Sequence, residues 1–93
     1  METTALRAVP DDELLRRLGE LVSHSRRVEA DLVVHIGEVD ARRLYARFAF
    51  PSMFSYCTEG LHLSDAGAYR RITVARAAWR QPALIAHLRD GRR

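Results

Sequence analysis

Residues 51–80, PSMFSYCTEGLHLSDAGAYRRITVARAAWR, decide how the chain is read. A short apolar helical pattern, Met53, Phe54, Tyr56 and Cys57, has Ser52 as its N-cap and Gly60 at its end. A Leu61-His62-Leu63-Ser64 corner follows, and a longer arginine-bearing pattern begins at Asp65. Leu61 and Leu63 are spaced to bury while Ser64 accepts a hydrogen bond from an orphan amide of the next helix. Two helices joined by such a corner form a helix-turn-helix-like unit.

In the second of these helices Ala68, Ile72, Ala75 and Trp79 share one apolar stripe. At about 100° per residue, Tyr69, Thr73, Arg76 and Arg80 form a second arc roughly 100° away. Arginine forks match phosphate and guanine, and Tyr and Thr add neutral hydrogen bonds. Tyr69, Arg70, Thr73, Arg76 and Arg80 are therefore the expected nucleic-acid contacts, although the same makeup also suits a solvated face. Gln81-Pro82 stops this helix and opens another, whose short apolar face is Leu84, Ile85 and Leu88 before Asp90-Gly91 closes it.

Upstream, residues 1–9 read as a loose arm, and Pro10-Asp11-Asp12-Glu13 is a strong helix start near Asp11. Leu14, Leu15, Leu18, Leu21 and Val22 recur at spacings of three and four, an amphipathic stripe expected to pack into the core, with Arg16, Arg17 and Glu20 on the polar face. The Ser23-His24-Ser25 segment is expected to break or kink the helix, because both serines can bond the local backbone. Residues 11–47 thus read as a helical hairpin or a kinked long helix, ended by Phe48-Ala49-Phe50-Pro51.

From Ser25 to Arg47 runs the longest helical pattern. Val28, Leu32, Ile36 and Val39 define one face, and Val33, Val34, Leu44 and Tyr45 occupy other sides. Gly37 costs about 1 kcal/mol relative to Ala in a helix, and it permits another backbone to approach. A helix apolar over so much of its circumference needs cover on more than one side. That implies a homodimer or another protein partner, contacted through Val33, Val34, Gly37, Leu44 and Tyr45. His35, on the side of Val28 and Val39, is expected in the interior or at that interface.

Ninety-three residues, 47% hydrophobic and 29% charged, fit one small all-α domain of four to five helices: a long central helix followed by the helix-turn-helix-like unit, 51–91, with its C-terminal helix. A core of this size is marginal alone. The net charge of +3 permits an acidic partner such as DNA without demanding one, and all fifteen basic residues are Arg. The single cysteine, Cys57, excludes an intramolecular disulfide, and His24, His35, His62 and His87 have no metal-ligand spacing, so no metal and no cofactor is expected. Without a signal-like or membrane-spanning apolar run, the expectation is a cytoplasmic protein that does not engage a membrane.

The segments DDELLRRLGELV, VEADLVVHIGEVDARRLYARFAFPSMFSYCTEGLHLS and AYRRITVARAAWRQPALIAHLRDGR together resemble the N-terminal helical region of a bacterial family of HNH-endonuclease proteins, over nearly the whole chain. The resemblance implies a long helix feeding a helix-turn-helix-like unit ahead of a nuclease part that has no counterpart here. HNH chemistry needs a histidine to activate water and a metal held by His, Asp or Asn, and no such cluster is present, so catalysis does not carry over. The corner is also similar to the DNA-binding helix-turn-helix units of chromosome-partition proteins. Two positions depart from that pattern: His62 stands where a glycine is common, and Arg71 near a place where an aliphatic residue is usually buried. The expected function is a non-catalytic DNA-binding or DNA-targeting module. The alternative is a protein-interaction module that dimerises, or that binds and inhibits a partner such as a nuclease. With no paired carboxylates in a cleft and no nucleophile beside a base, an enzyme is not expected.

Overall fold

A computed structural model describes residues 3–90, and every regular element among them is helical. In chain order these are α1 (Thr3–Leu6), α2 (Asp11–Ala41), a 3-10 turn (Leu44–Phe48), α3 (Met53–Ser55), a π turn (Tyr56–Gly60), α4 (Asp65–Arg80) and α5 (Ala83–Asp90). Only α2, α4 and α5 reach eight residues, so three substantial helices replace the four to five expected.

Helix α2 starts where the sequence places it. Pro10 is extended (φ −58°, ψ 151°), its carbonyl accepts from the Leu14 N–H at 2.9 Å, and Asp11, Asp12 and Glu13 put negative charge on the first turn, where the backbone dipole favours it. The expected break at Ser23–Ser25 does not occur: α2 is continuous for 31 residues. Among the described residues neither serine side chain bonds the local backbone, and each residue added to an existing helix gains a hydrogen bond for little further entropy. The expected loose arm also holds the helical turn α1.

The long helix ends at Ala41 rather than near Arg47. The Arg42 N–H closes on the Glu38 carbonyl at 3.0 Å, and Arg43 turns left-handed (φ 54°). This costs about 1–2 kcal/mol for a residue with a side chain. What it allows is the 3-10 turn, which brings Tyr45 against the core and Phe48 over the ring of Tyr56 at 6.0 Å; Phe50 meets the same ring edge-on at 5.5 Å. Residues 53–60, expected as one short helix, are a single α turn followed by the wider π turn. Ser52 and Ser55 cap each other's backbone amides reciprocally, at 3.0 and 3.3 Å. The π winding leaves Cys57 fully buried while Tyr56 stays with Phe48 and Phe50.

Ser64 caps α4 as expected, its Oγ accepting from the Gly67 N–H at 3.0 Å. Ala68, Ile72 and Ala75 of α4 then meet Val33 and Ile36 of α2 in a core completed by Met53 and Cys57. A Cβ on Gly37 would lie 3.0 Å from the Trp79 indole nitrogen and 3.5 Å from the Ala75 Cβ, so this glycine lets α4 lie close on α2. Two bidentate ion pairs hold α4 across α2: Arg71 to Glu29 (2.8 and 3.0 Å) and Arg76 to Asp40 (2.8 and 3.1 Å). A third, Arg89 to Asp31 at 3.0 Å, ties α5 to the same helix.

All of this cover falls on the C-terminal half of α2. Its first buried residue is Ala30; before it the apolar side chains project beyond the core. The radius of gyration, 16.9 Å, exceeds the roughly 12 Å of a compact chain this long. The core and the projecting half should therefore answer differently to truncation. In urea unfolding at a concentration where the chain is monomeric, Ile36→Ala should cost about 2–5 kcal/mol, and Leu18→Ala under about 0.5 kcal/mol.

Candidate functional site

The helix-turn-helix-like corner is built as follows. The Leu61 N–H closes the π turn on the Tyr56 carbonyl, and the Leu63 N–H bonds the Cys57 carbonyl, both at 3.0 Å. Between them His62 takes a left-handed conformation (φ 60°), the geometry that glycine adopts at no steric cost. The other departure is accommodated too. Arg71 is only 19% exposed, and the Glu29 carboxylate gripping it raises its already high pKa further. The aliphatic contact usual at such a position is replaced by a paired, hydrogen-bonded charge.

Beyond the corner α4 presents the expected arc: Tyr69 is 69% exposed, and Thr73, Arg76 and Arg80 are exposed as well, as is Arg70, the expected contact that lies off the arc. The five are not equally available. The Thr73 hydroxyl donates to the Tyr69 carbonyl at 2.8 Å, and the Arg76 guanidinium is held by Asp40, which pushes its pKa up. Arg70 and Arg80 have no ion-pair partner among the described residues. A groove of about 200 Å³ between α3 and α4 runs beside Phe54, Tyr69, Thr73 and Arg76.

The residues expected at a dimer or partner interface do not share one surface. Val33 is a core residue, 2% exposed, and Gly37 is buried beside Trp79. Leu44 and Tyr45 sit half-buried on the 3-10 turn, leaving Val34 as the exposed member. Val34 lines a cleft of about 250 Å³ between α2, α4 and α5, with Trp79, Pro82 and Ile85. The apolar surface of Val33 and Gly37 is consumed within the chain because α4 covers the side of α2 that sequence assigned to another molecule. His35, expected in the interior or at an interface, lies on the surface, its Nδ1 2.6 Å from the Asp31 carbonyl oxygen.

The surface that the sequence reading missed is the stripe it assigned to the core. Leu14, Leu15, Leu18, Leu21 and Val22 are each between 39% and 66% exposed, and Val28, read on the face of the following helical pattern, is 50% exposed beside them. On the polar side of this segment Arg16 bonds both Glu13 and Glu20, and Arg17 Nε reaches Glu13 at 2.8 Å. Hydrogen bonds from Arg16 first, and Arg17 next, lower the Glu13 pKa from 4.5 to about 2. The periodicity of the leucines was a sound signal of amphipathicity; it carries no information on which molecule covers the face.

Among the described residues no group of three or more His, Cys, Asp or Glu is placed to hold a metal ion, and no helix is long and apolar enough to cross a membrane. Cys57 is buried, and desolvation pushes its thiol pKa up. No family model, curated protein or solved structure matches the chain.

The Glu13 cluster has a defined pH signature. With its folded pKa below the unfolded value, Glu13 contributes stability that is present above about pH 4.5 and is lost as pH falls through about 2. A carboxylate NMR titration should place the Glu13 midpoint near 2. Arg16→Ala combined with Arg17→Ala should return it toward 4.5.

Proposed function

We propose that this chain is a non-catalytic protein-interaction module whose docking element is the N-terminal half of α2. One observation carries the reading: six large apolar side chains stand half-exposed along one side of a helix that nothing else in the described chain covers. Scattered exposed leucines are ordinary, but a contiguous stripe rimmed by charge is what an interaction face presents. Full burial of a Leu or Val side chain is worth roughly 1.5–3 kcal/mol, so completing the burial of six half-exposed ones offers on the order of 5 kcal/mol per chain before the entropy of association is subtracted. The helix is also preorganised. An isolated segment of this length is marginally helical, whereas here helix propagates outward from the packed half.

A second reading, contact with DNA through α4, is favoured by the exposed Tyr69 and Arg80 of the arc, with Arg70 on the adjoining side, beside a corner whose two departures are both accommodated. Phosphate neutralisation by these arginines would make affinity fall steeply with salt.

Light scattering and amide hydrogen exchange across a concentration series test the leading reading. Association should rise with concentration, and the amides of residues 14–28 should gain protection as it does. Leu18→Glu combined with Leu21→Glu should abolish both while leaving protection of Ile36 and Ile72 unchanged. A wild-type chain that stays monomeric, with residues 14–28 unprotected at every concentration, overturns it. A mobility-shift series tests the second reading: no retardation of duplex DNA at low salt removes it.

A further inference from the structure

We infer that the occupant of the bare half of α2 is the same half of a second copy of this chain, lying antiparallel, with the two-fold axis passing between Leu18 and Gly19. The inference rests on the protein-interaction reading and specifies its partner. At about 100° per residue, Asp11, Leu15, Leu18, Val22 and Arg26 fall within about 80° of one another along the helix. The ladder runs from an acidic end through three apolar rungs to a basic end, and Leu14 and Leu21 widen its apolar part on one side. Reversed and laid on itself, the ladder is complementary: Leu15 faces Val22, Leu18 faces Gly19, and Asp11 faces Arg26. A parallel pair would set Asp11 against Asp11 and Arg26 against Arg26. Neither of these residues has an ion-pair partner among the described residues.

Two further features fit this register. Gly19 lies mid-helix, where glycine is unfavourable relative to alanine, yet a Cβ built there has no neighbour within 4 Å. No contact within the described chain accounts for it, while a small residue at the centre of a helix crossing lets two backbones approach. The length also agrees. Pairing residues 11–26 with their reversed copy spans roughly 24 Å and stops just short of Glu29 and Ala30, where α4 begins to cover α2. The two cores then sit at opposite ends of the pair. In a parallel pair they would lie side by side against one another at the same end.

Disulfide trapping with Leu15→Cys and Val22→Cys reads the orientation directly, and the native Cys57, buried in the core, stays out of the reaction. The two single variants mixed together should give the mixed disulfide as the main product. Each variant alone should stay largely uncrosslinked, because like positions are offset by roughly 10 Å along the axis, beyond the reach of a disulfide. Asp11→Arg should weaken self-association by about fivefold to tenfold, two exposed charge contacts being changed per dimer. Adding Arg26→Glu to the same chain should restore it. Gly19→Leu should raise helicity while weakening association. Disulfides within each single variant, or no rescue by Arg26→Glu, overturn the antiparallel pair and leave the interaction reading standing. A chain that is monomeric by light scattering, with residues 14–28 unprotected, removes both.

Discussion

Close approach of α4 to α2 is the constraint on which the rest of the molecule depends. Ala68 and Ala75 on one helix and Gly37 on the other keep side-chain bulk out of the crossing, so that Ile72, Val33 and Ile36 fill what remains. A core this thin is sensitive to where the helices are placed, and two bidentate ion pairs set that placement. Arg71 and Glu29 hold one end of the contact, and Arg76 and Asp40 the other. Neither pair is a large source of stability by itself, since both are partly solvated. Their effect is to fix position: forked guanidinium and carboxylate groups meet in a narrow range of geometries.

The limits of that contact explain the shape. The residues after the 3-10 turn return over α2 only as far as Glu29, and α5 adds its tie at Asp31. The leucines before that point have the same chemistry and the same periodicity as the valines and isoleucine after it. One group is core and the other surface because α4 and α5 pack only against the C-terminal half of α2. Among the described residues, one helix of sixteen residues and another of eight leave part of the 31-residue helix uncovered. Association takes such a face out of water, and the sign pattern of Asp11 and Arg26 selects a direction for it.

The arginines of α4 divide into two uses. Arg71 and Arg76 are committed to α2, which reduces what the arc can offer to a phosphate. Arg70 and Arg80, with the exposed Tyr69, carry what remains of the DNA reading. An antiparallel pair would place two such arcs at opposite ends of the assembly. Contact with one duplex would then depend on the spacing between them, a geometric requirement that a single α4 does not have.

The sequence by itself determined the helical class, the starts of α2, α3 and α4, and the stop at Gln81-Pro82. These rest on contacts within a few residues: carboxylates on a first turn, serine oxygens on amides, a proline that cannot continue a helix. It also marked the stripe of α4 that buries, except that Trp79 remains 59% exposed at its end. The continuity of α2 through Ser23–Ser25 and its early end at Ala41 lay beyond local propensity. The first depends on propagation of a long helix, and the second on aromatic packing among Phe48, Phe50 and Tyr56. Which apolar faces are internal was decided only by tertiary structure. Periodicity states that a face will avoid water, and only the path of the rest of the chain states what covers it. For that reason Val33 and Gly37, read as an interface, became core, and Leu14 to Val22, read as core, became surface.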